Sequence, residues 1–227
     1  MIYELRNYEL MAGKAPAVIE RFGQHSIHYF AQHGIKNIGY WTPTFGEYSN
    51  RWIYLLGYED MADRERAWAE LANDPVRQKV MEEASREGPQ THHVTNLFLR
   101  PTEYSPDPLD PSSESGSAAV CELRIYDIEP GKAQPLHERF ANVTIPLFEK
   151  HGIRNIGYWT PVIGGNSNQL WYMLGYKSLA HREEAFASFA ADPEWQNAAR
   201  ATTEKHGPVT EKIISQILRP AEFSPVR

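Results

Sequence analysis

Two short constellations in this chain hold residue types that could do chemistry, and each occurs twice. Glu4, Arg6 and Tyr8 alternate along one stretch, and Glu122, Arg124 and Tyr126 repeat them 118 residues later. In an extended strand, residues two apart share a face, so each triplet sets three polar side chains on one side. An arginine in a mostly enclosed site can grip a carboxylate or an enolate through two parallel hydrogen bonds. A tyrosine two residues on can donate to a developing oxyanion or exchange a proton with it. The same triplets suit a structural role, an interior Glu–Arg ion pair with tyrosine filling space, because buried charges normally occur paired. Both roles stay open from the sequence.

Other candidates accompany the triplets. His33 and His151 fall in the last turn of an expected helix, just before Gly34 and Gly152. A histidine there could act as a general base. It could equally hold the exposed carbonyls at the negative end of the helix dipole, which favours its charged form and weakens it as a base. Tyr40-Trp41 and Tyr158-Trp159 place flat rings on opposite strand faces, so one of each pair can line a cavity and stack on an aromatic ligand. Asn37 and Asn155 share a face with Trp41 and Trp159 in a regular strand and could orient a polar group. The expected catalytic set is therefore Arg6, Tyr8, Arg124, Tyr126, His33 and His151. The expected ligand contacts are Glu4, Asn37, Trp41, Glu122, Asn155 and Trp159.

These residues sit in a long internal repeat. His33–Pro43 returns as His151–Pro161 with Lys36 exchanged for Arg154, and Leu99-Arg100-Pro101 returns as Leu218-Arg219-Pro220. A period of this length is a duplicated half-domain rather than a solenoid unit. We read residues 1–106 and 119–227 as the two repeats and 107–118, rich in Pro, Ser and acid, as a linker. Each repeat reads as strand, helix, strand, strand, helix, strand. The first strand puts Cys121, Leu123 and Ile125 on one face, expected under the helices, and Glu122, Arg124 and Tyr126 on the other. A helix is expected over 14–33, strands over 35–43 and 51–58, and helices after the N-caps Asp60 and Ser178. Asp74-Pro75 and Asp192-Pro193 start a further helix, and the last strands run over 91–100 and 210–219. This βαββαβ order is ferredoxin-like, an α+β fold with both helices on one sheet face. Two such sheets packed face to face would form an intrachain α+β barrel whose cavity is the default ligand site. The triplets would then point into it.

Composition narrows the function. A net charge of −6 and no basic face argue against nucleic acid and against acidic membrane surfaces. One cysteine, Cys121, fits a reducing compartment, and no signal peptide or spanning stretch is visible, so a cytoplasmic protein is expected. His25 and His28 have Val143 and Pro146 as counterparts, and His92-His93 have Glu211 and Lys212, so no metal site is expected. There is no phosphate loop and no nucleophile elbow, which argues against nucleotide and nicotinamide chemistry. The copies differ at the hairpin tip, Glu47-Tyr48 against Gly165-Asn166, and at Trp68 against Phe186. One pocket can therefore work while the other decays.

The Glu-Leu-Arg-x-Tyr opening, the His-Gly-Ile turn, the Tyr-Trp strand and the closing Leu-Arg-Pro resemble the NIPSNAP family of the dimeric α+β barrel superfamily, twice over. The resemblance implies two tandem ferredoxin-like domains imitating the barrel that single-domain members make by dimerising. The wider superfamily holds cofactor-independent monooxygenases, isomerases and haem enzymes. The expected function is binding, with conversion by a cofactor-independent oxygenase or isomerase route, of a small aromatic or carboxylate-bearing metabolite. A non-catalytic scaffold and a haem-binding barrel are the alternatives. No cofactor is expected, although haem stays open, and so does association into a homo-oligomer.

Overall fold

The computed structural model describes residues 1–46, 49–86, 88–109 and 118–227. The Glu47-Tyr48 hairpin tip and linker residues 110–117 lie outside the described residues. The chain divides into two compact units, Met1–Arg100 with Arg219–Val226, and Pro101–Leu218 with Arg227.

The first repeat runs β1 (Ile2–Leu10), α1 (Ala15–Arg21), a π-helical turn (Phe22–Ser26), α2 (Ile27–Gln32), β2 (Lys36–Pro43), β3 (Arg51–Tyr58), α3 (Met61–Ala72), α4 (Pro75–Ser85) and β4 (Thr91–Pro101). The second runs β5 (Val120–Ile128), α5 (Ala133–Arg139), a π-helical turn (Phe140–Thr144), α6 (Ile145–Lys150), β6 (Arg154–Ile163), β7 (Gln169–Tyr176), α7 (Leu179–Ala191), α8 (Pro193–His206) and β8 (Thr210–Pro220). β1 pairs antiparallel with both β3 and β4, and β2 pairs with β3, giving the order β4-β1-β3-β2. β8-β5-β7-β6 repeats it. Both are ferredoxin-like sheets of an α+β protein, as the sequence pattern indicates.

Local sequence explains the helix ends. Asp60 and Ser178 accept from the backbone N–H of Asp63 and His181, and Asp74 and Asp192 cap the helices that begin at Pro75 and Pro193. At Gly34, φ is +76°, and Ile35 N–H reaches back to Phe30 O at 2.9 Å while Gly34 N–H reaches Ala31 O at 3.1 Å. This is a Schellman stop, which needs a residue at ease with positive φ. The helix expected over 14–33 is instead broken by a π-helical turn. Asn37 Nδ2 donates to Ile27 O just past that turn at 3.0 Å, and Asn155 does the same to Ile145 O at 3.4 Å. An inserted residue in a helix leaves carbonyls poorly served, and a side chain from β2 supplies one of them.

The structure reverses the expected sense of β1 and β5. Tyr54 stands opposite Arg6 in register and packs on Phe22 and Phe30 of the helical layer, with ring centroids 5.0 and 6.4 Å away. Glu4, Arg6 and Tyr8 therefore lie beneath the helices, as do Glu122, Arg124 and Tyr126. Leu5, Cys121 and Leu123 occupy the opposite face and are buried there. When both faces of a strand are buried, alternation shows that two faces exist but not which one the helices cover.

A second correction concerns β2 and β6. The register slips between Asn37, opposite Leu56, and Gly39, opposite Leu55. That bulge resets the alternation, so Asn37 joins Tyr40 on the helix face while Trp41 lies on the other. Asn155 and Trp159 are separated in the same way.

The segments after β4 and β8 close the two cores. In the first unit, Phe223 sits 5.5 Å from Tyr40 and 6.0 Å from Trp52 by ring centroid, over Gly23, where a Cβ would stand 2.7 Å from Phe223 Cδ1. Tyr40 N–H donates to Ser224 Oγ at 2.9 Å. In the second unit Tyr104 takes that place beside Tyr158, with its hydroxyl 2.6 Å from His137 Nδ1. Phe223→Ala is expected to cost about 2 kcal/mol, below the range for a fully buried ring because Phe223 is half-buried. Chemical denaturation measures this, and an unshifted midpoint would show that the segment adds nothing to the first core. Among the described residues no helix is long and apolar enough to cross a membrane, and no cluster of three or more His, Cys, Asp or Glu is placed to hold a metal.

Candidate functional site

The polar triplets form closed networks. In the first unit Arg6 Nη1 donates to Glu4 Oε1 at 2.5 Å, its Nε to Tyr54 Oη at 2.8 Å and its Nη2 to Tyr8 Oη at 3.4 Å. Arg64 from α3 reaches both Glu4 oxygens at 3.2 and 3.3 Å, and the Tyr58 hydroxyl donates to Oε2 at 3.1 Å. The Arg6 guanidinium also lies 4.6 Å from the centroid of the Trp68 ring. In the second unit Arg124, Arg182, Tyr176 and Tyr172 repeat these bonds, Phe186 replaces Trp68, and Ser215 adds a donor to Glu122 at 2.6 Å. The interior ion pair is thus present in both halves, as buried carboxylates require. Burial pushes the Glu122 carboxyl up, but hydrogen bonds from Arg182, Ser215 and Arg124 outweigh it and hold the group at about 2. Burial drives the Tyr54 and Tyr172 hydroxyls well above the usual phenol range, so both stay protonated.

Beside the first network lies a cavity of about 320 Å³. β1 contributes Tyr8, the broken helix contributes Arg21, Phe22, Ser26 and Tyr29, and α3 contributes Trp68. α4 adds Arg77 and Met81, and the approach to β4 adds Gln90 and Thr91. At the wall, the Tyr8 hydroxyl accepts from Tyr54 at 2.8 Å and from Arg6, which leaves its own proton to donate. Ser26 Oγ and Tyr29 Oη bond each other at 2.6 Å. The π-helical turn is what carries Phe22 and Ser26 to this wall.

Of the twelve residues expected from the sequence, Tyr8 lines this cavity. Glu4 and Arg6 stand behind Tyr8, and the Arg6 fork is spent on Glu4, Tyr54 and Tyr8. Glu122, Arg124 and Tyr126 build the equivalent network of the second unit. His33 lies elsewhere, joining the end of α2 to the start of α4 through Nε2–Asp74 Oδ2 at 2.8 Å. His151 makes the same link to Asp192, 2.8 Å away. Hydrogen bonds from His33 and the backbone lower the Asp74 carboxyl, and those from Lys150 and His151 lower Asp192. Asn37 and Asn155 bond the helix after its π-turn and accept from Tyr40 and Tyr158. Trp41 and Trp159 are buried on the face away from the helices. Arg21, Arg77 and Gln90 are not singled out by the sequence pattern, where the readable signal is the replacement of Arg77 and Gln90 by Trp195 and Val209, while Arg21 is retained as Arg139.

Comparison with known proteins follows the same division. The NIPSNAP sequence profile matches the chain twice, over residues 3–106 and 121–225. The mouse protein NipSnap homolog 3B is 34% identical over 98 residues, which are 43% of this chain and 38% of the mouse protein. The Dictyostelium discoideum NipSnap homolog is 24% identical over 215 residues, 94% of this chain and 86% of that protein. The match thus spans little more than a third of the mouse relative and most of the Dictyostelium one. A provisionally named monooxygenase of known structure from Lactobacillus acidophilus is 10% identical, with a TM-score of 0.65 over 97% of this chain and 93% of its own, a likeness of fold alone. With both repeats matched and nearly the whole sequence covered, the chain belongs to the NIPSNAP family as a tandem pair of its domains.

Proposed function

We propose that the cavity of the first unit is a small-molecule site and that Tyr8 donates its proton to an oxygen of the ligand. The observation that carries this is the state of the Tyr8 hydroxyl: it accepts two hydrogen bonds, one from a cation and one from a tyrosine that the same cation polarises, and Tyr8 lines the cavity with its donor capacity unused. Donors aimed at an oxygen strengthen the bond it gives in turn. Such a hydrogen-bond donor suits a ligand oxygen that carries or gains negative charge, a carboxylate or an enolate formed when the ligand's acidic C–H gives its proton to water, and isomerisation or cofactor-independent oxygenation of that carbanion are the reactions that fit. Aromatic walls from Phe22, Phe30 and Trp68 suit a flat ring. The Lactobacillus protein that shares the fold carries a monooxygenase description, so turnover is best sought first with oxygen present. A Soret band in the purified protein would overturn the cofactor-independent part.

Tyr8→Phe tests the reading. With 2-naphthoate as probe, followed by quenching of tryptophan fluorescence, binding is expected to weaken about tenfold, the size of one hydrogen bond to a charged acceptor. Tyr126→Phe, the same change in the second unit, is expected to leave binding unaltered. Equal effects from the two substitutions, or no effect from the first, would remove Tyr8 from the site.

A further inference from the structure

The two repeats share their buried networks but differ where the cavity lies. Tyr29, Arg77 and Gln90 of the first repeat correspond to Leu147, Trp195 and Val209 of the second. Leu147 and Val209 are buried in the hydrophobic core of the second unit, and Trp195 packs against it. Trp195 lies 4.7 Å from Phe189 by ring centroid, and Arg139, the counterpart of Arg21, lies 5.2 Å from the Trp195 ring. An indole thus fills in the second unit what a guanidinium leaves open in the first.

The two arginines of the first cavity also differ from those of the buried networks, which are neutralised by carboxylates. Arg6, Arg64, Arg66, Arg124 and Arg182 each pair with a carboxylate. Arg21 instead donates to two neutral atoms, Gln90 Oε1 at 3.2 Å and Met81 Sδ at 3.6 Å. Among the described residues the Arg77 side chain makes no ion pair. Two half-buried guanidinium groups on one wall without a counter-charge form a receptor for an anion, and the planar fork favours a carboxylate.

We infer that the duplicated chain holds one ligand site, in the first repeat, and that this site selects a carboxylate-bearing aromatic compound through Arg77 and Arg21, while Trp195 has closed the second copy. The inference rests on the first-unit cavity being the ligand site. In such a ligand one carboxylate oxygen meets the arginine wall and the other accepts from Tyr8. Arg77 is a specificity-determining residue here, and Gln90 and Met81 hold Arg21 in place.

The test titrates the full chain with 2-naphthoate and with its uncharged isostere 2-naphthamide, by calorimetry for stoichiometry and by tryptophan fluorescence for affinity. The carboxylate is expected to saturate at one molecule per chain and to bind roughly tenfold or more tightly than the amide, as loss of a charge-assisted pair implies. Arg77→Gln is expected to cut that preference several-fold, with most of the loss falling on the carboxylate, while Arg21 retains the remainder. Arg77→Trp, which copies the second repeat, is expected to abolish both. If Arg77→Trp fails to fold by circular dichroism, Arg77→Gln carries the test, since Arg77 is half-buried on a helix surface. Equal affinity for the two probes, or a preference that Arg77→Gln leaves undiminished, overturns the carboxylate selection and leaves the cavity as a ligand site. Saturation at two molecules per chain overturns the closure of the second copy. Binding of neither probe removes the small-molecule reading and this inference together.

Discussion

Glu122→Ala is expected to lower the unfolding free energy by about 3–5 kcal/mol, the usual cost of stripping one partner from a buried ion pair. Glu122 is fully buried, and it receives hydrogen bonds from Arg124, Arg182, Tyr176 and Ser215. Its removal leaves the Arg124 guanidinium, 8% exposed, without its carboxylate and unable to reach water. A variant in which Glu122, Arg124 and Arg182 all become Met is expected to recover most of the loss, because no charge is then stranded. Denaturant midpoints measure both, and a Glu122→Ala protein within about 1 kcal/mol of the unaltered one would show that the network adds nothing net. The same carboxylate predicts a pH dependence. Its folded value, about 2, lies below the ordinary 4.5, so its contribution is complete above about pH 4.5 and is lost as pH falls toward about 2. The stability gap between the unaltered protein and Glu122→Gln should therefore close through that acid window.

Gly39→Ala and Gly157→Ala are each expected to cost about 2–3 kcal/mol, near the upper end for forced overpacking. A Cβ on Gly39 would fall inside van der Waals contact of Trp41 Cη2 and Cζ2, and one on Gly157 would do the same to Trp159. Both indoles are essentially buried, so neither has room to swing away. A Gly-to-Ala change gains at most about 1 kcal/mol by restricting the unfolded chain, which does not offset a displaced indole. Pairing Gly39→Ala with Trp41→Leu should cost less than the sum of the two, since the clash is removed with the ring. Strict additivity would show that Gly39 is required by something other than Trp41. The spacing of a glycine two residues before a tryptophan is thus a packing device, with the indole laid back along its own strand.

The sequence alone determined the duplication, the βαββαβ order and the helix caps. These are local: Asp60, Ser178, Asp74-Pro75 and Gly34 act through hydrogen bonds and φ angles within a few residues of themselves. It also showed that Glu4, Arg6 and Tyr8 share a face and allowed for their ion pair. Only the tertiary structure decided which face that is. Alternation has a period but no sign, and with both faces buried the decision came from Arg64 and Arg182, 60 residues from the carboxylates they neutralise. The bulge at Ile38, which parts Asn37 from Trp41, was hidden for a related reason, because a register slip is set by the pairing strand. The cavity was hidden because its wall joins Tyr8, Arg21, Arg77 and Gln90 from four separate segments. Its trace in the sequence was a difference between the copies, Arg77 against Trp195, which takes on meaning once Arg77 is seen to line a cavity and Trp195 to pack against a core.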